Sequence, residues 1–122
     1  MSKGKILVVD DSPTQMSLMR APFEDNGFEV ITAVDGEEAL ALAQSPDLKL
    51  VVMDVIMPKM NGFQACKKIK EARKDLPVIL LTSKDQKSDE FWGRRQGADL
   101  YMTKPFESKE LFDNAIKLMA IY

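Results

Sequence analysis

At 122 residues the chain is long enough for one domain with a core of its own. Its 17 basic and 19 acidic residues leave a net charge of −2, which gives no electrostatic case for nucleic acid or an anionic membrane as a main partner. The absence of histidine excludes histidine-based catalysis and histidine-rich metal sites, and the single cysteine, Cys66, excludes an internal disulfide.

The opening MSKGKILVVDDS lacks the layout of a secretory signal, and no apolar run reaches the length of a membrane span. With the lone thiol, this predicts a cytoplasmic protein with no membrane insertion. The run KILVVD (5–10) reads as the first strand. Ser12 before Pro13 reads as an N-cap and first-turn proline, and Met16, Met19 and Phe23 then recur at helical spacing. Pro22 removes one helix hydrogen bond there and predicts a kink or an early end. EVITA (29–33) is the second strand, and Asp35 caps the helix GEEALALAQ, with Leu40 and Ala43 on one face. KLVVMD (49–54) is the third strand. Asn61 then begins GFQACKKIKEAR, where Phe63, Cys66 and Ile69 share a face and Cys66 reads as a small core residue.

PVILLT (77–82) is the fourth strand, and QKSDEFWGRRQ is a helix that stops at Gly97. Phe91 and Trp92 point about 100° apart on that helix, so one is expected in the core and the other on the flank or surface. An exposed aromatic beside Arg94 and Arg95 would be a partner contact; the plainer alternative is an amphipathic helix with solvated arginines. Gly93 implies local pliability or close packing. DLYMTK (99–104) is the fifth strand, and Ser108 caps a last helix that is expected to run to Tyr122, with Phe112, Ala115 and Met119 on one stripe. No linker or low-complexity segment interrupts the pattern. The expectation is therefore one domain over residues 1–122 with no output domain.

The order is (βα)5. Near-continuous apolar strands buried on both faces and right-handed crossovers predict a doubly wound α/β three-layer sandwich around a five-stranded parallel sheet. Ligands of such folds sit beyond the carboxyl ends of the strands. Those ends carry Asp10 and Asp11, then Asp54, then Thr82 and Ser83, then Lys104 and Pro105. Polar residues begin at any strand end, but four ends with complementary chemistry are a constellation. Clustered carboxylates repel or call in a cation, and an all-oxygen donor set suits Mg²⁺. A lysine nearby offsets the remaining charge. An aspartate can also act as a nucleophile toward phosphorus.

The motifs VVDDS (8–12), VVMDVIMPKMNG (51–62), LLTSK (80–84) and GADLYMTKPF (97–106) together resemble the CheY-like receiver domains of bacterial response regulators, over nearly the whole chain. The resemblance implies a flavodoxin-like strand order 2-1-3-4-5 and phosphorylation of Asp54 by a CheA-like sensor histidine kinase. It makes Asp11, Asp54 and the carbonyl of Ile56 direct Mg²⁺ ligands, with Asp10 acting through water. It assigns Thr82 and Lys104 to the phosphoryl oxygens, a cis bond to Lys104–Pro105, and a switch to Thr82 and Tyr101. Pro58 and Gly62 would shape the loop around the metal, while Met57 reads as packing. The chemistry implied is self-catalysed phosphotransfer and autodephosphorylation rather than enzymatic turnover. The output would be a protein-binding face of helix four, strand five and helix five on a monomer or weak dimer. The segment SKDQKSDEFWGRRQGADLYMTKP (83–105) further resembles the PilG/PilH type of regulator in pilus chemosensory systems, which act in twitching motility. Ile56 and Lys84, each two residues past a phosphoryl-site residue, are expected to slow hydrolysis.

Three other readings compete. An FMN carrier needs a Ser/Thr-rich phosphate loop, where this chain offers Asp10 and Asp11. A haloacid-dehalogenase-like phosphatase needs Asp-x-Asp after its first strand, and here the two aspartates are adjacent. A pseudo-receiver used only for binding would not need every reactive position filled.

Overall fold

The computed structural model describes residues 3–119. Five strands alternate with five helices: β1 (Lys5–Val9), α1 (Pro13–Glu24), β2 (Glu29–Ala33), α2 (Gly36–Leu42), β3 (Leu48–Met53), α3 (Gly62–Ala72), β4 (Val78–Thr82), α4 (Lys87–Arg95), β5 (Leu100–Thr103) and α5 (Ser108–Met119). All strand pairings are parallel, and the sheet order is β2-β1-β3-β4-β5, as expected. The fifth helix's predicted end at Tyr122 lies outside the described residues.

The two faces of the sheet build separate cores because strand side chains alternate. Leu7, Val9, Val51, Met53, Val78 and Leu80 face α2 and α3. Ile6, Val8, Leu50, Val52, Ile79 and Leu81 face α1 and α5. Phe23, Phe28 and Phe112 close the second core in a ring of tilted and edge contacts 6.2–6.4 Å between centroids. Met16, Met19 and Phe23 are buried, as their spacing predicts.

The caps explain where the helices begin. Ser12 Oγ accepts from the Gln15 N–H at 3.3 Å, and Asp35 Oδ1 from the Glu38 N–H at 2.8 Å. Asn61 and Gln64 form a reciprocal capping box. Gly97 follows α4 at φ 101°, in the left-handed region expected of a C′ glycine. Helix α1 passes through Pro22, whose ring is buried, and ends two residues later at Glu24. One expectation is corrected. Ser108 is the first residue of α5 rather than its cap, because the Glu107 carbonyl already accepts from the Leu111 N–H at 3.1 Å.

Candidate functional site at the carboxyl edge of the sheet

The sheet's own hydrogen bonds set the site. One step past the strands, Asp10 N–H donates to the Ala33 carbonyl at 3.1 Å, Asp54 N–H to Val9 at 3.0 Å and Lys104 N–H to Thr82 at 2.9 Å. Asp10, Asp54 and Lys104 are thereby fixed on one edge. The Lys104 ammonium then bridges the two carboxylates, at 2.6 Å from Asp10 Oδ2 and 3.1 Å from Asp54 Oδ2. Asp10 and Asp54 are only 2% and 7% exposed, so this cation offsets a repulsion that water screens poorly. Their other oxygens are held by backbone: Asp10 Oδ1 accepts from Ser12 N–H, and Asp54 Oδ1 from Val55 and Ile56 N–H. The Lys104–Pro105 bond is cis, as expected.

Glycine at position 62 is required by the same construction. A Cβ there would lie 2.2 Å from the Asp54 carbonyl oxygen, so α3 can start against the back of Asp54 only without a side chain. Met57 packs on the first core, as expected.

An open pocket of 520 Å³ is lined by Asp10, Asp11, Asp54, Ile56 and Lys104, with Ser12, Gln15, Ser83 and Pro105. The structure thus brings together five of the predicted site residues. Thr82 and Tyr101 are not at its wall. Thr82 is fully buried, with Oγ1 accepting from the Lys84 N–H at 3.4 Å. Tyr101 is 8% exposed, and its hydroxyl donates to the Lys84 carbonyl at 2.7 Å. Burial, then the carboxylates of Asp89 and Asp54, push the Tyr101 phenol up to about 12. Lys84 therefore touches both predicted switch residues through its backbone, a link without a sequence signal because backbone groups are the same at every position. Ser83 lines the pocket from the strand end where the sequence put it, whereas Gln15, four residues past Asp11, escapes a sequence reading because its residue type does not mark the pocket.

The donors of this pocket are all oxygen. Among the described residues no three carboxylate or thiol groups form a ready metal cage, since Asp10 and Asp54 turn to Lys104 and Asp11 is exposed. Mg²⁺ does not need such a cage. It binds through one or two carboxylates and keeps several waters, so Asp10, Asp11, Asp54 and the Ile56 carbonyl fit it.

The aromatic pair on α4 corrects the sequence reading. Phe91 and Trp92 are both exposed, at 62% and 52%. The helix turns Gly93 to the core instead, against Tyr101 and Leu80. Arg95 lies 5.8 Å over the Phe91 ring, and Arg94 pairs with Glu90 at 3.1 Å. Cys66 is a buried core residue as expected, its thiol pushed up to about 12 chiefly by burial.

Known proteins share this arrangement of fold and sequence. Residues 6–116 match the family described as the response regulator receiver domain. PilH of Pseudomonas aeruginosa is 42% identical over 119 residues, covering 96% of this chain and 98% of PilH. PilG of the same organism is 42% identical over 115 residues, covering 93% of this chain and 84% of PilG. The chain spans less than half the length of other curated relatives it matches, transcriptional regulators among them. A chain of the CheX–CheY complex with BeF3 and Mg²⁺ from Borrelia burgdorferi superimposes with a TM-score of 0.90 at 28% identity, over 96% of this chain and 90% of that one. The chain belongs to the response regulator receiver family of two-component signalling systems, with PilH and PilG among its homologues.

Proposed function

We propose that the chain accepts a phosphoryl group on Asp54 from a sensor histidine kinase and signals through a protein-binding face made by α4, β5 and α5. The observation that carries this reading is the Lys104 ammonium held between the two nearly buried carboxylates of Asp10 and Asp54, beside an open pocket. An oxygen of Asp54 attacks phosphorus in line as the bond to the kinase's histidine nitrogen breaks, and the bonding pair leaves with that nitrogen. Asp54 Oδ1 is steadied by two backbone N–H groups, which orients the carboxylate before attack. Mg²⁺, when held by Asp10, Asp11, Asp54 and the Ile56 carbonyl, would neutralise charge on the phosphoryl oxygens. Lys104 would turn from the two carboxylates to one of those oxygens. Thr82 would move to another, and its Lys84 contact carries that motion to Tyr101.

The activity is self-limited phosphotransfer with slow autodephosphorylation, not turnover of a free substrate. The partners are proteins rather than nucleic acid, met as a monomer or weak dimer in the cytoplasm. The segment 83–105 and the PilH and PilG homologues support a place in pilus chemosensory signalling and twitching motility.

Acetyl phosphate tests the core of this reading. Mass spectrometry should find one phosphoryl group per chain, on Asp54, in the presence of Mg²⁺, and none in EDTA or in Asp54→Asn. Label on another residue, or full labelling in EDTA, overturns it.

A further inference from the structure

Gly93 stands inside α4, where glycine is the poorest helix former after proline. Its backbone is ordinary helix, so conformation does not call for it. What does is the ring of Tyr101: a Cβ at position 93 would lie 2.8 Å from Tyr101 Cδ1, 3.1 Å from Cε1 and 3.2 Å from Leu80 Cδ1. We infer that Gly93 is a positioning residue, its missing side chain being the space that lets Tyr101 lie inward with its hydroxyl on the Lys84 carbonyl.

Of the two bodies that could yield to a side chain at 93, the ring is the freer. Helix α4 is tied at both ends. Gln86 and Asp89 form a box at its start, and the Gly93 carbonyl itself accepts from Gln96 N–H at 3.1 Å and Ala98 N–H at 3.2 Å. Tyr101 packs at the margin of the first core and its hydroxyl makes one hydrogen bond, to Lys84; no backbone tie fixes the ring, and rotation about χ1 can carry it toward solvent. The residue at 93 therefore decides whether Tyr101 is inside or outside before any phosphorylation. The inference extends the proposed role of Tyr101 as a switch, yet its test does not need Asp54 to be phosphorylated.

The experiment uses fluorotyrosine in a Tyr122→Phe background, which leaves Tyr101 as the only tyrosine. The solvent isotope shift of its ¹⁹F resonance reads exposure. In the parent it should be close to zero; in Gly93→Ala it should rise to that of an exposed tyrosine. A melting-temperature cycle adds a second reading. Gly93→Ala should change the melting temperature more favourably where Tyr101 is replaced by alanine than where Tyr101 is present, the Leu80 contact being common to both backgrounds. A parent-like isotope shift in Gly93→Ala, including one accompanied by altered Trp92 fluorescence from a displaced α4, overturns the inference. Equal effects in both backgrounds overturn it too. If Gly93→Ala fails to fold, folding of the double variant with Tyr101→Ala upholds the inference, and failure of both overturns it. Acetyl phosphate labelling of the same proteins reads the proposed phosphorylation separately.

Discussion

Lys104 is the residue on which the electrostatics of the site turn. It stands between Asp10 and Asp54, whose side chains are 1% and 10% exposed. Replacing it with alanine leaves two nearly buried carboxyl groups without their cation, at a cost of about 3–5 kcal/mol in the absence of metal. Added Mg²⁺ should then stabilise Lys104→Ala more than the parent, because a cation that the parent partly supplies for itself is now missing. Asp11 behaves differently. It is exposed and lines the pocket without an ion pair among the described residues, so Asp11→Ala should weaken Mg²⁺ binding and leave stability in EDTA within about 0.5 kcal/mol of the parent. Urea titrations with and without Mg²⁺ read both, and equal stability of Lys104→Ala and parent in EDTA would contradict the account. Under the proposed phosphorylation of Asp54, Ile56 is expected to set the lifetime of the product by the same local logic. Its side chain is 54% exposed on the pocket wall, and it can shield an acyl phosphate but cannot orient a water. Lys84, paired with Asp89 at 3.7 Å, is a poor base. The double variant Ile56→Asn, Lys84→Glu should lose radiolabel from Asp54 about tenfold faster than the parent with Mg²⁺ in excess; an unchanged rate rules out water access at these positions as the control.

Helix α4 shows how an element can be placed by a side chain it lacks. Gly93 lies against Tyr101 and Leu80, and this close approach rotates Phe91 and Trp92 outward together. Two adjacent exposed aromatics beside Arg95 add little to folding, since each keeps more than half its surface in water. Phe91→Ala and Trp92→Ala should each change the free energy of unfolding by no more than about 0.5–1 kcal/mol, while weakening the interaction with a downstream protein that uses this face. A loss near that of a buried aromatic, about 3 kcal/mol or more, would show that the rings pack inward in solution.

Across the whole molecule, the burial that makes the two-faced sheet stable also sets its response to alkali. Burial pushes the Cys66 thiol from its ordinary 9.0 to about 12, and burial with the nearby carboxylates pushes the Tyr101 phenol from 10.0 to about 12. The unfolded chain releases these protons first. Their contribution is therefore complete below pH 9 and drains away as pH rises toward 12, at up to about 1.4 kcal/mol per pH unit for each group. Melting temperatures should fall over that window, and Cys66→Ala should start less stable, having lost core packing, but decline less steeply. Parallel slopes for the two proteins would mean that the thiol titrates in the folded state as it does in the unfolded one.

Local patterns along the chain were enough for the sheet and the side chains offered at its edge. Period-two and unbroken apolar runs leave little freedom about which segments are strands. Capping at Ser12, Asp35 and Asn61 fixes three helix starts through bonds local to a few residues. A parallel sheet then has only one edge for Asp10, Asp11, Asp54, Thr82 and Lys104. Which partners those groups touch is set by packing between distant segments. That Lys104 spans both carboxylates joins residues 94 and 50 positions apart, a distance no local pattern reports. That Thr82 and Tyr101 meet at Lys84 depends on the backbone of a turn. That Phe91 and Trp92 both face outward depends on the ring of Tyr101 filling the place opposite Gly93, because a helix settles its rotation by the shape of the surface it packs on, and that surface belongs to β4 and β5.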